Sequence, residues 1–507
     1  MDLSTSIVSS KDSAPPRLRT AEASADRAQL LPPLLAAVLT SITAFWGLTG
    51  PQFWYDEAAT VLAVDRPLSE IPDLLQKVDA VHGLYYLLMS LWVGVFGTSE
   101  LAMRAPSALA LTLAAPVLSV IAMGYSRRWA PDRVRMAGVI AAVVFATLPG
   151  LTWSGQEARG FAMGVLASVA ALWCFERFQD RGSVLLLVGW ALLQAAAIGF
   201  SLYSALAVVL YALRAATWRR PQRLGFAAAC TAVGLLVLPL IGLSASQTGQ
   251  VAWISMSTSQ MLQRMALGTF FMSPMNRSGE MGALSLDIAP WLLALVLASL
   301  AAGLFRGPGR QLQLWLLGVV ALPLVIILAA HLAGHELFQE RYVTFSAPFL
   351  LLALTLALTG LRWRAAGWIA TAAIAALSVP SLVGQNAPDA KIGDSYGDAA
   401  ALIARADTAL FLDPPARAPL QLYPPDHEIA DPLLLEDGTS ADNIWGWNRS
   451  DVQPWEVDPT GPTAVVSYKS SGDHDSVLDH LTRSGCTVAQ ADQQTRFRIT
   501  VLDCPGS

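Results

Sequence analysis

Asp56 and Glu57 stand side by side at the end of Phe53-Trp54-Tyr55-Asp56-Glu57, directly after an apolar stretch at 31–50. That is where a membrane helix would emerge into water. An ionisable pair at such an edge is costly to desolvate and marks a functional site by default. The aromatic residues in front of it suit an interfacial belt. The plainer alternative is that both acids cap the next helix in solvent. Two further charged motifs also abut apolar stretches, Gln156-Glu157-Ala158-Arg159 and Glu340-Arg341-Tyr342. His82, before Leu84-Tyr85-Tyr86, and Arg104, before Ala105-Pro106, lie at comparable edges.

These residue types suit a lipid-phosphate site beside a carboxylate. Guanidinium groups make bidentate, permanently charged contacts to phosphate, and Arg159 and Arg341 could supply them. A carboxylate next to the phosphate can take a proton from an incoming hydroxyl or amine. Asp56 suits that role; Glu57 or Glu157 could orient the acceptor or hold a divalent metal, and His82 could donate to a phosphate or a sugar hydroxyl. Each has a structural alternative. Glu157 and Arg159 could solvate a loop, Glu340-Arg341 could open a helix as an ion pair, and His82 could be a hydrogen-bonded interface residue. For Arg104 a structural pairing with a nearby acid such as Glu100 is favoured. His331 and His335 stay outside the set.

The elements that must position these residues are membrane helices. The 507 residues are 54% hydrophobic and only 14% charged, against roughly a quarter charged in globular proteins, and the mean hydropathy is +0.47. A spanning helix needs about 20 apolar residues. Spans are predicted at 31–50, 105–125, 137–150, 161–176, 184–199, 200–213, 225–245, 287–305, 312–330, 342–361 and 366–383. The apolar run 84–96 is short for a crossing and reads as interfacial or re-entrant. Leaving it out puts the arginines at 127–135, 177–181, 214–223, 306–310 and 362–364 on one side with the basic N-terminus, which the positive-inside rule makes the cytoplasm. The prediction is eleven crossings of a plasma membrane, with the N-terminus inside and the C-terminus outside. The segments 51–104, 151–160, 246–287 and 331–341 are then outer loops.

Residues 1–30 are polar and read as a disordered cytoplasmic tail with no cleavable signal peptide. The domain at 31–384 carries the spans, and 385–507 reads as a small outer α/β domain, with helix- or strand-like runs at 398–406, 408–412, 464–468, 476–483 and 497–502. Cys486 and Cys504 flank a strand-like run there and are compatible with a disulfide in an oxidising compartment. Cys174 and Cys230 lie in apolar segments as packing residues. Trp445, Trp447 and Trp455 could form core or a sugar-stacking surface. No nucleotide-binding glycine loop is visible, and no nucleic-acid partner is expected.

The order Trp54-Tyr55-Asp56-Glu57, then His82-Gly83-Leu84-Tyr85-Tyr86-Leu87-Leu88, then Phe96-Gly97-Thr98-Ser99-Glu100, then Arg104-Ala105-Pro106-Ser107 resembles the GT-C membrane glycosyltransferases. The resemblance is to the polyprenyl-phosphate-mannose-dependent family 39 and its bacterial relatives, and it continues at 156–161 and 340–350. It implies a polyprenyl-phosphate-linked sugar donor and an outward-facing site. Asp56 would be the base, with Glu57 and Glu157 in the catalytic set. His82, Tyr85, Arg104, Gln156, Arg159, Glu340, Arg341 and Tyr342 would bind substrate. The family's two prolines after the histidine are Gly83 and Leu84 here, and no β-trefoil insert is present. The Arg- and Ala-rich composition fits an actinobacterium.

The expected activity is therefore inverting transfer of a mannosyl or arabinosyl group to a cell-envelope glycan, glycolipid or protein. No cofactor is required by the sequence, although a divalent metal near Asp56, Glu57 and Glu157 stays open. The competing reading is a lipid-linked-sugar transporter or flippase. It would place polar residues at mid-membrane depth, and the predicted spans hold few.

Overall fold

The computed structural model describes residues 16–251, 254–273, 279–306, 309–388, 390–391, 395–468, 473–494 and 496–505. Among them, seven helices are long and apolar enough to cross a membrane: Glu100–Trp129, Phe161–Arg181, Arg220–Ser246, Glu280–Phe305, Arg310–Leu332, Glu340–Gly360 and Arg364–Gly384. The other four predicted spans fall on shorter or broken apolar helices. Two are the pair Val184–Phe200 and Ala205–Ala215, separated by a single 3-10 turn. A third is Val134–Thr147, which turns by 67° into Pro149–Gly155. The break falls at Leu148, ahead of a proline that cannot continue the helical hydrogen-bond ladder.

The fourth is Pro16–Phe45, which opens fifteen residues before the predicted span. The part of the expected disordered tail from Pro16 onward is thus helical, and 1–15 lie outside the described residues. The short apolar run at 84–96 is a 14-residue helix, Gly83–Phe96.

Several arginine clusters meet at one end of the bundle. Arg128 pairs with Glu176 and Asp180, Arg214 pairs with Glu176, and Arg133 donates to the carbonyls of Thr359 and Leu361. Arg364 pairs with Asp132 at the same end. The acids of interest lie at the other. Arg104 opens the Glu100–Trp129 helix that Arg127 and Arg128 close, so about 35 Å separates the two ends at 1.5 Å per residue.

The C-terminal region is a mixed sheet with helices on both faces. β1 (Thr408–Phe411) runs parallel to β4 (Gly461–Tyr468). β4 pairs antiparallel with β6 (Phe497–Cys504), and β6 with β5 (Thr487–Gln493). β2 (Leu434–Glu436) and β3 (Trp447–Asn448) form a separate two-stranded ribbon. Alternation along β4 sorts its side chains between two cores. Ala464 and Val466 pack under the Tyr396–Ile403 helix, whereas Val465 packs under Val477 and Leu481 of the His474–Arg483 helix. Cys486 and Cys504 are disulfide-bonded in the second core. The predicted strands at 408–412, 464–468 and 497–502 are present, as are the two helices. Strands β2, β3 and β5 are additional; β5 is polar and largely exposed, so its burial pattern carries no signal.

This sheet domain is fastened to the segment that carries Asp56. The Gln52 side chain accepts from Ser395 Oγ (3.0 Å) and from the Gly397 N–H (2.6 Å). Tyr55 stacks on Trp445 at 4.7 Å, and Ala58 belongs to the sheet domain's own core. Arg66, buried, donates to the carbonyls of Gly438, Ala441 and Asn443. Trp445 therefore packs between domains, while Trp447 and Trp455 are exposed.

Candidate active site

The Tyr55–Val64 helix holds both acids in its first turn, where the helix dipole favours negative charge. Successive residues of an α-helix point about 100° apart, so the neighbours face different surroundings.

Glu57 faces inward. It is fully buried, and both oxygens are occupied. Arg104 donates Nε to Oε1 (2.8 Å) and Nη2 to Oε2 (2.7 Å). Lys391 Nζ (2.7 Å) and the Ala158 N–H (3.0 Å) also reach Oε1. Burial works to raise the Glu57 carboxyl, but Arg104 and Lys391 outweigh it and hold it at about 2.

Arg104 donates further to the carbonyls of Leu48, Pro51 and Gln52. Two expectations are corrected here. Glu57 is an anchoring carboxylate with no lone pair directed at a substrate, and Arg104 is a buried strut with no N–H for a phosphate. The favoured structural pairing of Arg104 with a nearby acid is present, with Glu57 as that acid in place of Glu100, which accepts from Tyr423 Oη at 2.7 Å.

Asp56 faces the other way. Its Oδ2 is 2.6 Å from Arg341 Nη2, and its Oδ1 is 3.9 Å from Arg159 Nη2. Burial pushes this carboxyl up, but Arg341 and Arg159 together hold it below the usual range. Arg341 is the second residue of the Glu340–Ser346 turn ahead of the Ala347–Gly360 helix. Arg159 lies in a tight turn in which its N–H donates to the Glu157 carbonyl (2.8 Å). Thr60 of the Asp56 helix donates to the Ala158 carbonyl in the same turn (3.0 Å), which ties that helix to this loop. Arg159 Nη1 donates to Tyr86 Oη (3.0 Å), which donates to Asp79 Oδ2 (2.6 Å). Asp79 is the only non-glycine residue with positive φ among those described (φ 56°), a conformation Asp tolerates better than most.

Three buried groups here lack partners among the described residues: Arg341 Nη1, Arg159 Nε and both oxygens of Glu157. Buried polar atoms are nearly always bonded, so the set is shaped for a polar occupant. Burial raises the Glu157 carboxyl to about 7, against the pull of Arg341 and Lys391. Burial and Arg159 press the His82 imidazole down to about 4, so at neutral pH it is uncharged. Aromatic rings wall the site: His82 lies edge-on to Phe161 (6.2 Å), and Tyr342 stacks on Tyr203 (6.0 Å).

Two other predicted binding residues, Gln156 and Glu340, are engaged elsewhere. Gln156 Nε2 donates to the carbonyls of Thr43 and Trp46 at the end of the first helix. Glu340 is buried and pairs with Arg264 (3.6 Å). Tyr85 is fully buried with its hydroxyl unpartnered among the described residues, and its neighbour Tyr86 makes the contact to Arg159. No three His, Cys, Asp or Glu side chains among the described residues converge as a metal-binding group. Glu57, saturated by Arg104, Lys391 and the Ala158 N–H, has no oxygen left for a divalent ion.

Lys391 is the residue sequence reasoning missed. It follows the last membrane helix, is buried, and donates to Glu57 and to the Gln156 carbonyl (2.9 Å). Burial and Arg104 bring it down to about 8.

The fold compares with that of ArnT from Cupriavidus metallidurans. The apo structure superposes at a TM-score of 0.57 with 13% identity, covering 92% of this chain and 97% of that one. The structure bound to undecaprenyl phosphate gives 0.54 and 14% over the same shares. The chain shares the membrane-protein fold of ArnT. The archaeal oligosaccharyltransferase AglB from Archaeoglobus fulgidus, in complex with an inhibitory peptide and a dolichol-phosphate, is looser at a TM-score of 0.45 and 13% identity, covering 87% of this chain and 69% of that one. No protein-family model matches the chain, and no curated protein matches it by sequence. At these identities the likeness to ArnT establishes fold alone.

Proposed function

We propose that this protein transfers a sugar from a polyprenyl-phosphate donor to a cell-envelope acceptor outside the plasma membrane, as an inverting glycosyltransferase related to family 39. The observation that carries this reading is the convergence of Asp56, Arg159 and Arg341 from three distant parts of the chain, with buried guanidinium N–H groups left over. An ArnT structure with undecaprenyl phosphate bound supports a lipid-phosphate ligand for this fold.

In this mechanism the donor phosphate takes Arg341 Nη1 and Arg159 Nε, and it competes with Asp56 for Arg341. Losing that partner raises the proton affinity of Asp56 when a base is needed. The acceptor hydroxyl gives its proton to Asp56, and its oxygen bonds to the anomeric carbon from the face opposite the phosphate. The bond from that carbon to the phosphate oxygen breaks, and its electron pair leaves on polyprenyl phosphate. Phosphate is a good leaving group, so charge neutralisation and positioning supply most of the rate. Mannosyl and arabinosyl groups are the first donors to try.

The test is transfer of radiolabelled sugar from polyprenyl-phosphate-mannose and polyprenyl-phosphate-arabinose by purified protein. Product formed by wild type and lost in Asp56→Asn supports the reading. Unchanged turnover in Asp56→Asn removes the base. Movement of the donor across vesicles without transfer would favour the flippase.

A further inference from the structure

The end of the bundle remote from Asp56 holds a second basic concavity. A cavity of about 640 Å³ opens between the Val134–Thr147 and Arg364–Gly384 helices and is lined by Arg127, Arg133, Arg135, Arg364, Asp132 and Trp368, among others. Four guanidiniums face one carboxylate, a local charge of +3. Arg133 is held by the carbonyls of Thr359 and Leu361, Arg364 by Asp132 (2.5 Å), and Arg127 by Gln29 (2.7 Å). These bonds fix the guanidiniums around the space. Arg135 is exposed and has no hydrogen bond or ion pair among the described residues.

Arginines scattered at helix ends are ordinary orientation signals. Grouped around a concavity between membrane helices, they have the composition of an anionic headgroup site. Guanidinium groups match phosphate oxygens geometrically. The surface beside the cavity is apolar and uncovered: Trp363 is 72% exposed, Ile369 69% and Trp368 41%. A ligand with a phosphate in the cavity and hydrocarbon along Trp368 and Ile369 would satisfy both features; a soluble phosphate ester would satisfy the first alone.

We propose that this cavity is a phosphate-ester site, occupied by the headgroup of an anionic phospholipid and separate from the site around Asp56.

Detergent-purified protein titrated with phosphatidylglycerol, and with phosphatidylcholine of the same chains, tests this by native mass spectrometry. The expected result is preferential retention of phosphatidylglycerol. The pair Arg135→Gln with Arg364→Gln should weaken retention by about fivefold per arginine, roughly thirtyfold together. The pair Arg219→Gln with Arg220→Gln, at exposed arginines outside the cavity, should change it little. All four positions are exposed, and size-exclusion profiles check that each variant is folded. Competition by millimolar glycerol phosphate would support the anion site and name a soluble ester as its source; no competition names the lipid. Equal retention of the two lipids, or an equal loss in both variant pairs, overturns the proposal.

Discussion

Asp56 and Glu57 are adjacent, chemically alike and on the same helical turn, yet their surroundings oppose each other. Glu57 receives four hydrogen bonds from two cations and a backbone N–H. Asp56 shares one close cation and one distant one, beside guanidinium N–H groups that bond to nothing among the described residues. A saturated buried pair has nothing left to offer a ligand. It costs desolvation to form and several kcal/mol to break, and it holds the backbone around it in one arrangement. An unsaturated pair retains capacity for a ligand. One acid anchors three segments of chain, and its neighbour is free to do chemistry within the frame so built.

This contrast can be broken from both sides. The largest effect is expected from Asp56→Asn, which should lower transfer by about a hundred- to ten-thousandfold, the range of a general base, with a smaller loss of thermal midpoint than Glu57→Gln gives. Arg341→Gln should lower kcat by about a hundred- to a thousandfold, as for other groups that stabilise developing charge. It should also move the acid limb of the pH profile upward, because Asp56 loses its nearest cation. A wild-type pH profile in that variant would mean that Arg341 does not set the basicity of Asp56.

Glu57→Gln should act on stability instead. It strands Arg104 and Lys391 in a buried site and should cost about 3–5 kcal/mol, read as a lowered unfolding midpoint in detergent. Lys391→Met should do the same on a smaller scale, about 1–3 kcal/mol, and Lys391→Arg should restore part of it. If Glu57→Gln abolished transfer with no change in midpoint, the division of labour between the two acids would be wrong.

The smallest effect concerns pH. Glu157 sits at about 7 in the fold, above the ordinary glutamate value of about 4.3. The folded protein therefore binds more protons than the unfolded chain between those values, and this group's contribution to stability falls as pH rises through that window. Glu57 has the opposite sign: its contribution is present above the ordinary value and is lost as pH falls toward about 2. Glu157→Gln should flatten the decline toward pH 7 by a small amount in the unfolding midpoint. A steeper decline would show that Glu157 is ionised and paired.

Much of this was legible in the chain. Long apolar runs with arginines at alternate ends can only be membrane helices, because backbone groups in hydrocarbon must be satisfied within the segment. Charged motifs at the other edges are costly there, which is why Asp56, Arg159 and Arg341 stood out. Strand-like runs at 464–468 and 497–502 pointed to strands, and two cysteines in a polar tail were compatible with the bond they form. What did not show was which charge meets which. Gln156, Glu340 and Arg104 share the motif signature of Arg159 and Arg341, but their polar atoms turn to the first helix, to Arg264 and to Glu57. Lys391 is a lone basic residue in its loop with no pattern around it.

Hydropathy and local charge are additive along a chain, so the sequence alone determined that this is a helical membrane protein with an acid and two arginines at the bundle's edge. Pairing is not additive. A 100° step along one helical turn sends Glu57 into Arg104 and Lys391 and sends Asp56 toward Arg341, and that choice depends on segments hundreds of residues apart arriving at one place. Only the tertiary structure decided which carboxylate is held and which is available.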